Sequence, residues 1–233
     1  MAFHSLRKFE TEVIAMEASL FNGDENTVGS LTSGGTESIL MAVKTYRDLA
    51  RQTKPHITNP EMIVPRSVHA AFQKAGHYFD VKPIHAPLTE DFKVDIEAVK
   101  ELINENTILL VGSAPQYPHG IVDPIEELGQ LAKAHNLPLH VDACLGGFIV
   151  PFLQKLGRDI PPFDFQVEGV TSISADIHKY GYAAKGVSSI LYKSPDLRHL
   201  QYFAYADWPG GIFVSPSATG TRPGGAIASA WAV

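Results

Sequence analysis

Ser172-Ile173-Ser174-Ala175-Asp176-Ile177-His178-Lys179-Tyr180-Gly181 decides how the rest of the chain is read. It runs as a short strand ending on a His-Lys pair, and glycine and small residues follow. A lysine just past a buried strand, beside a histidine, is what an enzyme needs to hold an aldehyde covalently through its amine. His-Lys pairs are common, so this one gains meaning from two segments upstream: Thr32-Ser33-Gly34-Gly35-Thr36-Glu37 and His140-Val141-Asp142-Ala143.

Around these segments apolar strands alternate with amphipathic helices. Thr36 to Gln52 carries Ile39, Leu40, Val43, Tyr46 and Leu49 at helical spacing. Met62 to Pro65 is a short apolar run, His69 to Phe79 reads as a helix, and Val81 to Ala86 as a strand. Asp95 to Asn106 is a helix with Asp95 as N-cap and Ile96, Val99, Leu102 and Ile103 facing inward. Ile108 to Val111 is a strand. A helix starts at Asp123-Pro124, with proline at its first position, and runs to about Asn136. Leu137 to Val141 and Val187 to Tyr192 are strands. The alternation predicts an α/β fold with a mostly parallel sheet flanked by helices, and ligands gathering at the carboxyl ends of its strands. Asp142 and His178-Lys179 each follow a strand, so both can line one crevice.

The chain has 233 residues, 45% hydrophobic and 19% charged, as in an ordinary soluble globular protein. A net charge of −6 gives no reason to expect nucleic acid as partner. Cys144 is the only cysteine, which excludes an intrachain disulfide and fits a reducing compartment. No apolar run approaches the ~20 residues of a spanning helix, and the start lacks a signal-peptide pattern. Ten histidines invite a metal reading, but there is no His-x-x-x-His on a helix and no Cys-x-x-Cys, so no metal is expected. Ala226 to Val233 opens like an apolar helix that stops, which suggests a fragment.

Each candidate residue has two readings. Gly34-Gly35-Thr36 lets the backbone approach an anion at a helix N-terminus, or is a tight turn before a cap. Asp142 is a desolvated carboxylate that suits a protonated pyridine nitrogen, or a turn aspartate. His69 offers a face to stack on a flat ring, or caps a helix. His140 orients Asp142, or is a sheet histidine without chemistry. Lys179 is the anchor, with burial drawing its pKa down toward the free amine, or a surface lysine. Lys185, six residues on, meets an anionic substrate group, or lies in an exposed loop. Gly220-Thr221-Arg222-Pro223-Gly224-Gly225 contacts a phosphate, or only introduces a helix. Taken in order, the set reads as a site for pyridoxal 5′-phosphate (PLP).

The segments TSGGTESILMA (32–42), GSAPQYPHGIVDPI (112–125), LPLHVDACLGGF (137–148), GVTSISADIHKYGYAAKG (169–186) and SPSATGTRPGG (215–225) resemble the fold-type-I PLP enzymes of the group II decarboxylase branch. More narrowly they resemble the sphingosine-1-phosphate lyases. The resemblance implies the large domain of the PLP-dependent transferase fold over residues 1–233, with the family's N-terminal arm and small C-terminal domain missing. It implies Lys179 as the cofactor lysine, Asp142 on the pyridine nitrogen, His69 stacked on the ring, and Gly35 and Thr36 on the phosphate, with Thr221 of the partner subunit nearby. Lys185 would bind the substrate's phosphate, and His178 a phosphate or a proton. The implied reaction is retro-aldol cleavage of a sphingoid-base 1-phosphate to a long-chain aldehyde and phosphoethanolamine, in a homodimer. This chain alone is expected soluble in the cytosol, while longer eukaryotic relatives are anchored in the endoplasmic reticulum membrane. Ala184 stands where relatives often have proline. An amino acid decarboxylase of the same fold, or a truncated chain without activity, are the rival readings.

Overall fold

Runs of apolar residues too short for helices assemble into one twisted sheet in the computed structural model, which describes residues 3–233. In chain order the elements are α1 (His4–Leu20), β1 (Val28–Thr32), α2 (Gly35–Thr53), β2 (Glu61–Pro65), α3 (Ala71–Phe79), β3 (Lys82–Ala86), α4 (Ile96–Leu102), β4 (Thr107–Ser113) and α5 (Ile125–Ala134). Then follow β5 (Leu139–Ala143), α6 (Val150–Lys155), β6 (Val170–Ala175), β7 (Ser188–Tyr192), α7 (Pro195–His199), β8 (Phe203–Tyr205), β9 (Phe213–Ser215) and α8 (Gly224–Ala232). Seven strands lie in the order β1-β7-β6-β5-β4-β2-β3, with β8 and β9 forming a separate ribbon. Only β7 runs against its neighbours in the large sheet.

The sheet is buried on both faces, as a parallel sheet must be. Alternate residues of β4 show it: Leu110 faces a core shared with Val13, Leu128 and Ile227, while Leu109 and Val111 face Val43, Tyr46 and Phe72. α2 and α3 thus cover one face, and α1, α5 and α8 the other. Four strands, β1, β4, β5 and β6, end at the same edge, and the segments Ser33–Gly35, Ser113–Pro115, Asp142–Cys144 and Asp176–Lys179 leave from there.

The sequence expectations hold for the alternation and fail in details with identifiable causes. Asp95 caps α4 by accepting from the Ala98 amide (3.1 Å), but the helix stops at Leu102 instead of reaching Asn106. There the Asn104 side chain accepts from the Asn106 amide (2.8 Å) and the Asn104 amide donates to Thr107 Oγ1 (3.0 Å), a local turn that competes with the next helical turn. Pro124, not Asp123, occupies the N-cap of α5. The Asp123 carboxylate is instead buried and takes the Ser113 and Val94 amides (2.9 and 3.1 Å). α3 begins at Ala71, two residues after His69. The C-terminal apolar segment does find packing: Ile227 and Ala230 of α8 are buried, and Trp231 stacks on Phe9 of α1 with ring centroids 4.4 Å apart. Arg222 has partners within the chain. Its guanidinium forks onto buried Glu10 of α1 and the Leu31 carbonyl (2.9 Å), tying the tail to α1 and β1.

α1 was not foreseen because acidic residues interrupt its apolar stripe. Glu10 and Glu17 are both buried. Glu17 accepts from the Ser189 hydroxyl of β7, and burial raises its pKa from 4.5 to about 8. A carboxyl whose folded pKa is raised stabilises fully below its unfolded pKa and loses that contribution as pH rises through the folded value. Glu17→Gln should therefore gain stability relative to the parent as pH climbs from 4.5 to about 8, and the gain should level off above. Paired thermal melts across this range test it. A melting-temperature difference that does not grow with pH would show that Glu17 is not held protonated.

Candidate active site

The four strand ends enclose a cavity of about 450 Å³. Its walls include Gly34, Gly35, Thr36, His69, Asp142, Cys144, Asp176, His178 and Lys179. Six of the residues singled out in the sequence, Gly35, Thr36, His69, Asp142, His178 and Lys179, thus meet at one place. Lys185 and Thr221 are exposed and do not line it.

Helix α2 starts at the cavity. The N–H groups of its first turn, from Gly35 onward, have no partner inside the helix and face outward with the positive end of the dipole. Gly35 is required by packing. A Cβ there would sit 2.7 Å from both Asp176 Oδ1 and Cys144 Sγ. Glu37, in the same turn, is tied back: Oε2 accepts from the Ser33 amide (2.6 Å) and Oε1 from the Ala218 amide (2.9 Å). Its charge is thereby satisfied by amides rather than presented to an incoming anion.

Asp142 is the next-to-last residue of β5, with Ser174 of β6 beside it in register. Its Oδ1 accepts from the Cys144 amide (3.1 Å) and the Ser174 hydroxyl (3.3 Å), while Oδ2 carries no hydrogen bond. His69 is exposed in the loop before α3, where Nδ1 accepts from the Ala71 amide (3.1 Å).

Lys179 sits in a loop held by its own backbone. His178 N–H donates to the Val187 carbonyl (3.2 Å), Lys179 N–H to Asp176 (3.1 Å) and Ala183 N–H to Ile177 (3.2 Å). Asp176, buried at the end of β6, organises the side chains. It receives Lys179 Nζ at 2.8 Å and the Ser188 hydroxyl at 2.7 Å, and His178 Nε2 lies at 3.6 Å. This corrects the expectation for Lys179. Burial pulls the amine's pKa down, but the hydrogen bond and charge of Asp176 outweigh it and leave it above the ordinary lysine value. The amine rests as an ammonium. For His178 burial prevails over Asp176 and, with the charges of Lys185 and Lys179, holds the ring below its usual pKa. Its Nδ1 accepts from the Val187 amide (3.2 Å), so the proton of the neutral ring is on Nε2. Asp176 is a cavity-wall residue that the strand-and-motif pattern does not mark. Its signal was an acid three residues before Lys179, within the quoted stretch.

The profile of the pyridoxal-dependent decarboxylase conserved domain matches residues 9–204. Sphingosine-1-phosphate lyases of Arabidopsis thaliana and of mouse are each 53% identical over 99% of this chain. The chain spans 43% and 40% of their lengths. The structure of a Burkholderia pseudomallei sphingosine-1-phosphate lyase superposes with a TM-score of 0.95 at 44% identity, covering 98% of this chain and 54% of that one. A Lactobacillus brevis glutamate decarboxylase shares the fold, with a TM-score of 0.83 at 21% identity. The chain belongs to the pyridoxal-dependent decarboxylase family, whose cofactor is PLP. No helix among the described residues is long and apolar enough to cross a membrane.

Asp176→Asn should lower the pKa of Lys179 below the ordinary lysine value, because burial then acts without its counter-charge. The pH dependence of Lys179 acylation in the cofactor-free protein, followed by peptide mass spectrometry, reads this. An unchanged midpoint would show that Asp176 does not control the amine.

Proposed function

We propose that this protein is a PLP-dependent carbon–carbon lyase that cleaves a sphingoid-base 1-phosphate to a long-chain aldehyde and phosphoethanolamine. The observation that carries the cofactor site is the meeting of Lys179, Asp142 and the Gly34–Gly35 turn around one cavity of fitting size. The substrate class is supported by the sphingosine-1-phosphate lyases among the relatives, at 53% identity over 99% of this chain. The reading also takes the active protein as a homodimer, with Thr221 reaching the neighbouring site from its exposed position in the tail.

The wall residues fit the cofactor. Asp142 Oδ2, unbonded on a largely buried carboxylate, calls for a cationic donor such as a protonated ring nitrogen. The free amides of Gly35 and Thr36, with the Thr36 hydroxyl, suit a phosphate. His69 offers its ring at the wall for stacking, and Lys179 brings the amine. When bound, PLP supplies an electron sink for the pair left by the breaking bond.

The remaining work falls to the chain. Asp176 Oδ2 holds the Lys179 ammonium at 2.8 Å, so this amine, when free, can carry a proton within the cavity and act there as an acid. His178 presents an N–H at Nε2, which suits holding an anionic oxygen and not removing a proton. Lys185 lies outside the wall, yet its charge reaches His178. It is therefore proposed as a contact for the substrate phosphate at the cavity's rim.

The test is a product assay with PLP-loaded protein. Sphingosine 1-phosphate should give long-chain aldehyde, and Lys179→Ala should reduce the rate by about 10³-fold or more. Carbon dioxide from aspartate, glutamate or an aromatic amino acid, with no aldehyde from the lipid, would move the protein to the decarboxylases. A relative at 41% identity from Pyrococcus furiosus is described as a probable L-aspartate decarboxylase, which makes aspartate the first amino acid to try.

A further inference from the structure

Behind Asp142, away from the cavity, a row of buried side chains connects two strands to α2. Tyr46, His140, Ser172 and Ser174 have no exposed surface. Counting hydrogens fixes how Ser172, His140 and Ser174 point. Ser174 donates its only hydroxyl hydrogen to Asp142 Oδ1 (3.3 Å). Its 3.2 Å contact with His140 Nε2 then requires the imidazole hydrogen on Nε2. His140 Nδ1 is consequently an acceptor, and takes the Ser172 hydroxyl hydrogen at 2.8 Å. Ser172 Oγ lies 2.6 Å from the Tyr46 hydroxyl, whose one hydrogen it shares with Thr171 Oγ1 at 2.7 Å, since Thr171 gives its own hydrogen to the Leu139 carbonyl (3.0 Å). From Ser172 through His140 to Ser174, the hydrogens point toward the carboxylate.

A chain of donors aligned one way is mutually polarised, so its last bond is stronger than an isolated one. The row also carries no charge. Burial holds the His140 ring far down, to a pKa of about 3, and drives the Tyr46 phenol well above its usual value. A charged imidazolium here would compete with any cation on the cavity side. A neutral ring steadies the carboxylate and leaves its charge for the ligand.

We infer that His140, acting through Ser174, is a positioning residue that holds Asp142 with Oδ1 bound and Oδ2 free for the protonated ring nitrogen of PLP. This rests on the assignment of Asp142 to that nitrogen.

Two measurements test it. In the cofactor-free protein, the ¹⁵N signals of His140 should show Nε2–H and bare Nδ1, with no titration between about pH 5 and pH 8. An Nδ1–H tautomer or a titrating ring overturns the inference. In the protein loaded with ¹⁵N-labelled PLP, Ser174→Ala should weaken cofactor binding about tenfold. The ring-nitrogen signal should also move from the protonated toward the unprotonated position, a change that general loss of packing does not produce. Asp142→Asn is the benchmark. If it leaves binding and signal unchanged, the assignment of Asp142 is wrong and the inference falls with it. If Asp142→Asn acts and Ser174→Ala does not, the row behind Asp142 alone is refuted.

Discussion

A carboxylate buried at the end of β6 has to be surrounded by donors and a cation, and Asp176 recruits them from its own loop and from the next strand. Lys179 and His178 come from the loop after β6, and Ser188 from the antiparallel β7. The one strand that runs against the sheet is therefore the one that completes the site, because its first residue returns beside Asp176. The same carboxylate explains why residue 35 is glycine. α2 must begin within contact distance of Asp176 and Cys144, and any side chain there would displace both. The Gly34–Gly35 turn, the lysine loop and the sheet edge are thus fixed against one another through a single group.

Asp142 and Asp176 stand on neighbouring strands, and the fold separates their roles by what it gives each. Asp176 receives an ammonium and a hydroxyl on the chain's own account. Asp142 receives an amide and a hydroxyl on one oxygen, and keeps the other unbonded at the cavity. One acid is satisfied internally and positions an amine. The other has one oxygen left without a hydrogen bond at the cavity. Cys144, next to both, has its thiol raised well above its ordinary pKa, by burial first and then by the two carboxylates. It contributes bulk and a weak donor to Ser174, not a nucleophile.

Much of the fold was legible because parallel strands and amphipathic helices carry local signals. Ile39, Val43 and Tyr46 gave α2, and the apolar runs gave β4, β5 and β7. The residues that line the cavity were legible because each follows a strand or opens a helix in a fixed order. What stayed hidden depends on distance along the chain. Ser174 and Asp142 are 32 residues apart, and Arg222 lies 212 from Glu10. No spacing rule connects them. Arg222 looked like a cation waiting for an anion, and its anion was an internal glutamate. Burial alone predicts a lowered pKa for Lys179, and the acid three residues before it reverses the effect. The buried Glu10 and Glu17 broke the stripe that would have marked α1.

The central claim is that this cavity holds PLP on one particular lysine, and borohydride reduction of the cofactor-loaded protein tests it most directly. Reduction fixes the pyridoxyl group on the lysine that carries it, and peptide mapping finds the position. The account predicts the label on Lys179 alone, lost in Lys179→Ala. A label on Lys185, or one spread over several surface lysines, would contradict it.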